Sequence, residues 1–181
     1  MQGIGQACAG IFDFPEFLRN LPRMAAYSKN KPVREEPLTP DEALAKLEFF
    51  CAYRERCPWE VRQKLRELGM AGETAEQIYG VLEADGFFNE ARFAEAYAGG
   101  KFRVNQWGRV RIRLELQQRH IAPHLIRQAL DSIEEEEYVS VLKNLIERKR
   151  RQHGAGAREN AKIAAAIIRA GYEPELVFRY L

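Results

Sequence analysis

Arginines and lysines, not nucleophiles, are the side chains whose type and spacing could do chemistry in this chain. From Lys101 to His120 stand Lys101, Arg103, Arg109, Arg111, Arg113 and Arg119 against one acid, Glu115. From Lys143 to Lys162 stand Lys143, Arg148, Lys149, Arg150, Arg151, Arg158 and Lys162 against Glu147 and Glu159. Residues 41–100 lean the other way, with twelve acids and seven bases, a polarity that the formal net charge of +2 conceals. Clustered cations can follow a phosphate backbone or meet an acidic protein surface. The plain alternative is a solvated helix face, because Arg109 and Arg113 lie one helical turn apart and the stretch Glu147-Arg-Lys-Arg-Arg151 suits the negative end of a helix dipole. Taken jointly the two clusters favour binding, and the expected partner-binding residues are Lys101, Arg103, Arg109, Arg111, Arg113, Arg119, Arg148, Lys149, Arg150 and Arg151.

Catalysis needs a nucleophile, base or metal in a shaped pocket, and no such set can be read here. The cysteines Cys8, Cys51 and Cys57 lack C-x-x-C spacing, and only His120, His124 and His153 could assist them, so neither a disulfide framework nor a structural zinc site is expected. A reactive thiol at Cys57, beside Trp59, lacks a histidine motif nearby. No G-x-x-x-x-G-K-[ST] loop offers a nucleotide site. No enzyme activity, cofactor or metal is therefore expected. Trp59, Phe87, Phe93, Tyr97 and Trp107 could stack on bases, but their places on apolar helix faces favour core packing, with Trp107, next to the basic stretch, as the exception. The run Glu134 to Glu137 reads as a helix start favoured by the dipole. No apolar stretch approaches the roughly 20 residues of a membrane span, and the first ten residues lack a basic start and apolar run. A soluble protein of a reducing cytoplasm is the expectation.

These side chains must be positioned by a repeating helical frame. IAPHLIRQAL (121–130) and YEPELVFRYL (172–181) share apolar-x-Pro-x-Leu, and their leading residues, Ile121 and Tyr172, stand 51 apart; a further 51 back lies Met70 in LRELGMAGETAEQIYGVL. Pro123 and Pro174 mark helix starts, where a missing N–H is harmless. Gly69 and Gly171, with His120 between them, occupy the place of a left-handed helix cap. Each copy thus reads helix, tight turn, helix. Thr39-Pro40-Asp41-Glu42 has the form of a capping box, Cys57-Pro58-Trp59-Glu60 keeps its Pro and Glu, Thr74 to Gln77 suggests another start, and Asn89 can cap a helix. Val110 to Leu116 alternates apolar and charged residues as a strand would. The equivalent stretch from Ala161 to Ala170 is Ala-rich, so 107–119 is expected to be helical.

The predicted architecture is all-α: tandem three-helix, helix-turn-helix-like repeats, the last incomplete, each with too little core to stand alone. The expected division is a mobile tail or arm over 1–36 with an apolar patch at Phe12, Phe14, Phe17, Leu18 and Leu21, then repeats over 37–103, 104–152 and 153–181.

Arg56-x-x-x-Glu60-Val61-x-x-Lys64-Leu65, then Gly69, then Gly86-Phe87-Phe88-Asn89-Glu90-x-Arg92-Phe93-Ala94, then Gly108-x-x-x-Ile112-x-x-Glu115-Leu116 with Ile121, together resemble the RecX family from about residue 41 onward. The chain departs from that pattern at Cys57, where Ser or Thr is usual, at Asn89-Glu90, where two Asp are usual, and at His120, where many members have Gly. The resemblance implies an elongated, curved array that binds the RecA filament on single-stranded DNA along its groove and restrains its ATP hydrolysis and strand exchange. A monomer is expected, touching single-stranded DNA through the filament and no membrane. Two readings stay open beside it: a module that binds nucleic acid directly through its arginine-rich helix, without RecA, and a helical adaptor for an unrelated protein.

Overall fold

In a computed structural model the described residues are 38–154 and 156–181, and their regular secondary structure is entirely helical. Cys8 and the apolar patch from Phe12 to Leu21 lie outside them. The helices are α1 (Pro40–Tyr53), α2 (Pro58–Glu67), α3 (Gly72–Ala84), α4 (Glu90–Asn105), α5 (Arg109–Gln118), α6 (Pro123–Asp131), α7 (Glu135–His153), α8 (Ala157–Arg169) and α9 (Pro174–Tyr180).

Most starts follow local capping chemistry. The Glu42 N–H donates to Thr39 Oγ1 at 3.3 Å while the Thr39 N–H donates to Glu42 Oε2 at 3.0 Å, completing the box. Asn89 Oδ1 accepts from the Arg92 N–H at 2.9 Å, and the Cys57 N–H donates to Glu60 Oε2 at 3.3 Å. One start differs from expectation. α3 begins at Gly72, not at Thr74, with Ala71 extended before it and Gly72 itself left-handed at φ 59°.

That turn is the repeated element. In its three copies the N–H of Gly69, His120 and Gly171 bonds three residues back, and the N–H of Met70, Ile121 and Tyr172 bonds five residues back. This is the Schellman pattern, which needs a left-handed residue: φ is 79° at Gly69, 59° at His120 and 99° at Gly171. Met70, Ile121 and Tyr172 are then buried at once, so each turn is closed by backbone bonds and anchored by an apolar side chain.

α5 shows why alternation misleads. A strand would put Val110, Ile112, Leu114 and Leu116 on one face. The helix keeps Ile112 and Leu116, four residues apart, at full burial and leaves Leu114 53% exposed. Two apolar clusters result. One is formed by α1–α3 around Leu47, Val61 and Leu82 and includes Phe88; the other runs through α4–α9 around Phe102, Ile112, Tyr138 and Ile163. α4 packs on α5 and α6, and α7 on α8 and α9. The second and third packing triplets therefore begin one helix earlier than the sequence frame, which opens the repeats at 104 and 153 on the helix-turn-helix pair.

The second and third triplets are locked by a close backbone joint. Gly108, at the amino end of α5, donates its N–H to the Ala170 carbonyl at 2.9 Å, and Val110 donates to Gly171 at 3.0 Å. Orphan donors of one helix start thus satisfy orphan acceptors of another helix end, positive pole to negative pole. A Cβ on Gly108 would land on the Gly171 carbonyl group, so only glycine permits the approach. Beside the joint the Tyr138 hydroxyl donates to Glu173 Oε2 at 2.8 Å and accepts from the Arg109 N–H at 3.0 Å, and the Tyr138 ring stacks on Tyr172 at 5.0 Å between centroids. Burial pushes both phenols well above their ordinary pKa. Deleting residues 172–181 removes Tyr172 and Val177 from this core and is expected to cost at least about 3 kcal/mol, read as an earlier thermal transition. An unchanged melting profile would contradict the repeat register.

Candidate basic interface

The carboxy-terminal turns of α4 and the length of α5 carry a ladder of alternating cations and rings. The Arg119 guanidinium lies 4.8 Å from the Tyr97 ring centroid, and the Lys101 ammonium 5.3 Å from Tyr97 and 4.9 Å from Trp107. The Arg111 guanidinium lies 3.8 Å over Trp107. Each contact is worth about 0.5–1 kcal/mol at a partly exposed site, enough to hold the cations in place while their outer faces stay available. Glu115 buffers one end. It pairs with Arg119 at 2.9 Å and accepts from the Tyr97 hydroxyl at 3.3 Å, and the Arg119 hydrogen bond holds its carboxyl below the usual range. Burial pushes the Tyr97 phenol up.

The ten expected binding residues have different surroundings. Lys101, Arg111 and Arg119 converge on the Tyr97–Trp107 ladder. Arg113 is exposed with no ion pair among the described residues. Arg103 is exposed beside Glu137 at 3.6 Å. Arg148 donates to Gln106 Oε1 at 2.9 Å, which brings the basic end of α7 to the loop that carries Trp107. Sequence alone gave no reason to join the two basic clusters. Lys149 and Arg151 extend the α7 side, and Arg150 is tied to Glu147 at 3.2 Å and to the Leu181 carbonyl.

Arg109 stands apart. Its side chain is 21% exposed, pairs with Glu135 at 2.6 Å, donates to the Ile133 carbonyl at 2.8 Å and covers the Tyr138 ring at 4.2 Å. Its donors face inward, toward the joint, and this role was invisible in sequence because its partners lie 24 to 29 residues away. The aromatic expectations divide in the same manner: Phe93 is buried and Tyr97 and Trp107 pack against the core, but Trp59 is 38% exposed.

Nothing here points to catalysis through the thiols. Burial raises Cys57 above its ordinary value and raises Cys51 to about 11, the opposite of an activated thiolate. Among the described residues no three of His, Cys, Asp or Glu cluster as metal ligands, and no helix is long and apolar enough to cross a membrane.

Residues 89–130, which comprise α4 through α6, match the family model described as RecX, second three-helix domain. The chain is 26% identical over 147 residues to the regulatory protein RecX of Amycolatopsis mediterranei (strain U-32), a match covering 78% of this chain and 84% of that protein. It is 24% identical over 131 residues to the regulatory protein RecX of Geobacillus kaustophilus (strain HTA426), where it spans 71% of this chain and 49% of the relative, about half its length. Among solved structures, the crystal structure of RecX from Lactobacillus salivarius superposes with a TM-score of 0.70 at 20% identity, covering 78% of this chain and 93% of that one. A second structure, titled regulatory protein RecX, gives 0.67 at 20% identity over 78% and 72%. A three-helix unit matched over α4–α6, regulatory relatives aligned over most of the described helices, and a shared helical-repeat fold all make this chain similar to proteins of the RecX family.

Proposed function

We propose that this chain docks on a RecA filament assembled on single-stranded DNA and lowers its ATP hydrolysis and strand exchange. The observation that supports the reading is the approach of the two basic clusters, the Lys101, Arg111 and Arg119 ladder on Tyr97 and Trp107 and, bonded to Gln106 beside it, Arg148 of α7, on a fold whose named relatives are regulatory proteins. A series of helical units suits a partner with helical periodicity, because successive units add contacts at high effective concentration. Arg109 serves the surface indirectly, by fixing the start of the helix that carries Arg111 and Arg113.

The test is the DNA-dependent ATPase rate of the cognate RecA, titrated with this protein at fixed salt beside a RecA-free DNA-binding control. A fall in rate at protein concentrations too low to bind naked DNA is the expected result. An unchanged rate with salt-sensitive binding in the control would assign the surface to nucleic acid directly.

A further inference from the structure

The alternation of α5 leaves one apolar residue over. Ile112 and Leu116 are buried in the core, while Leu114, about 200° round the helix from Ile112, is 53% exposed and belongs to neither apolar cluster. It stands one turn after Arg111, whose guanidinium covers Trp107. Val104 matches it at the other end of the ladder. It stands one turn after Lys101 on α4, is 80% exposed, and also lies outside both clusters. The row Lys101, Trp107, Arg111 is thus flanked by two apolar side chains that the described fold leaves in water. Val104 also lines a cleft of about 380 Å³ between the α1–α2 loop and α4, walled by Tyr97 and Lys101 on one side and by Arg54 and Glu55 on the other, where Gly100 adds no side chain. Arg54 is paired with Glu60 at 2.8 Å and Glu55 with Arg92 at 2.7 Å, so both are answered within the fold. Lys101 meets two rings and no carboxylate among the described residues. The charge that the cleft leaves unanswered is therefore one ammonium, set beside apolar walls.

We propose that this surface takes a segment of protein, not nucleic acid: a stretch that puts one apolar side chain in the α4 cleft against Val104, a second on Leu114, and carboxylates between them on Lys101 and Arg111. A phosphate backbone satisfies the cations but leaves Val104 and Leu114 as wet as before. A protein segment gains from both. Apolar anchors give it affinity, and the acids between them fix its register on the ladder. The inference rests on the RecA reading and deepens it, because it assigns the grip to the protein of the filament instead of its DNA.

Fluorescence anisotropy of the labelled full chain, titrated with RecA filaments on single-stranded DNA and separately with the bare DNA, tests it. Val104→Ser and Leu114→Ser are each expected to weaken filament binding about tenfold, the effect of losing one buried aliphatic anchor, and to leave bare-DNA binding as it was. Neither substitution should move Tm, since both side chains are exposed and outside the core. Gly100→Leu fills the cleft from a helical position with open space around its Cβ. It is expected to weaken filament binding as much while leaving the chain at least as stable, because leucine favours a helix over glycine. Val81→Ser, on α3 and 43% exposed, is the control and should change nothing. Filament binding indifferent to all three substitutions at the surface would overturn the proposal and leave the RecA reading standing. Filament and bare-DNA binding that fall together would assign the surface to nucleic acid and overturn it as well. A parent chain that does not bind the filament at all would sink the RecA reading and the proposal with it.

Discussion

Replacing Gly108 with alanine is expected to lower Tm by about 10 °C and to loosen α8 and α9 more than any other part of the array. The added Cβ falls on the carbonyl group of Gly171 and on the backbone of Tyr172, neither of which can swing aside as a flexible side chain does. Either α5 or the α8–α9 turn must withdraw. Withdrawal breaks the Gly108–Ala170 and Val110–Gly171 hydrogen bonds and opens the stack of Tyr138 on Tyr172. Overpacking with two lost bonds costs about 4 kcal/mol, which at this size corresponds to roughly the stated shift. Hydrogen exchange should rise across residues 157–181 while α1–α3 keep their protection. Gly100→Ala is the control: α4 leaves open space there, and alanine in a helix interior should be neutral or slightly stabilising. Equal behaviour of the two variants would show that the joint does not hold the last triplet.

The second large effect separates residues that the sequence groups together. Lys101→Glu, Arg111→Glu and Arg113→Glu, combined, are expected to raise the concentration of protein needed for half-inhibition of the RecA ATPase at least about tenfold, and to move Tm by no more than a few degrees. These cations sit on partly exposed ladders or in solvent, so reversing them removes a partner's contact and few internal ones. Arg109→Ala should show the opposite pattern. It leaves the Ile133 carbonyl without its donor and uncovers the Tyr138 ring, a loss of about 2 kcal/mol in stability, while the folded fraction keeps most of its inhibition. If the triple reversal inhibits as well as the parent chain, the basic surface is not the docking face. If Arg109→Ala is as stable as the parent but inactive, Arg109 belongs to the interface after all.

The contrast between Arg109 and Arg111 explains what could be read in advance. The 51-residue period, the three turns and most helix starts were legible, because each is decided by bonds that span no more than five residues: Thr39 with Glu42, Asn89 with Arg92, Met70 with Leu65. α3 misled by two residues, since Thr74 is a good cap on paper but the helix opens earlier, at the left-handed Gly72. Phase was the larger difference. Sequence similarity is strongest in the helix-turn-helix pair, so counting begins there, yet α4 shares its buried surface with α5 and α6.

The chain by itself determined that this is a helical repeat protein with a basic second half, a family resemblance carried by short ordered motifs, and no recognisable catalytic set. Only the tertiary structure decided which of the basic residues face outward, that Arg148 meets Gln106 across 42 residues of chain, and that Gly108 is needed for its contact with a turn beginning 62 residues later. The reason is range. Caps and turns draw their free energy from neighbours along the chain, whereas the fate of an arginine depends on which distant carbonyl, carboxylate or ring the fold brings within about 4 Å, and no local pattern encodes that encounter.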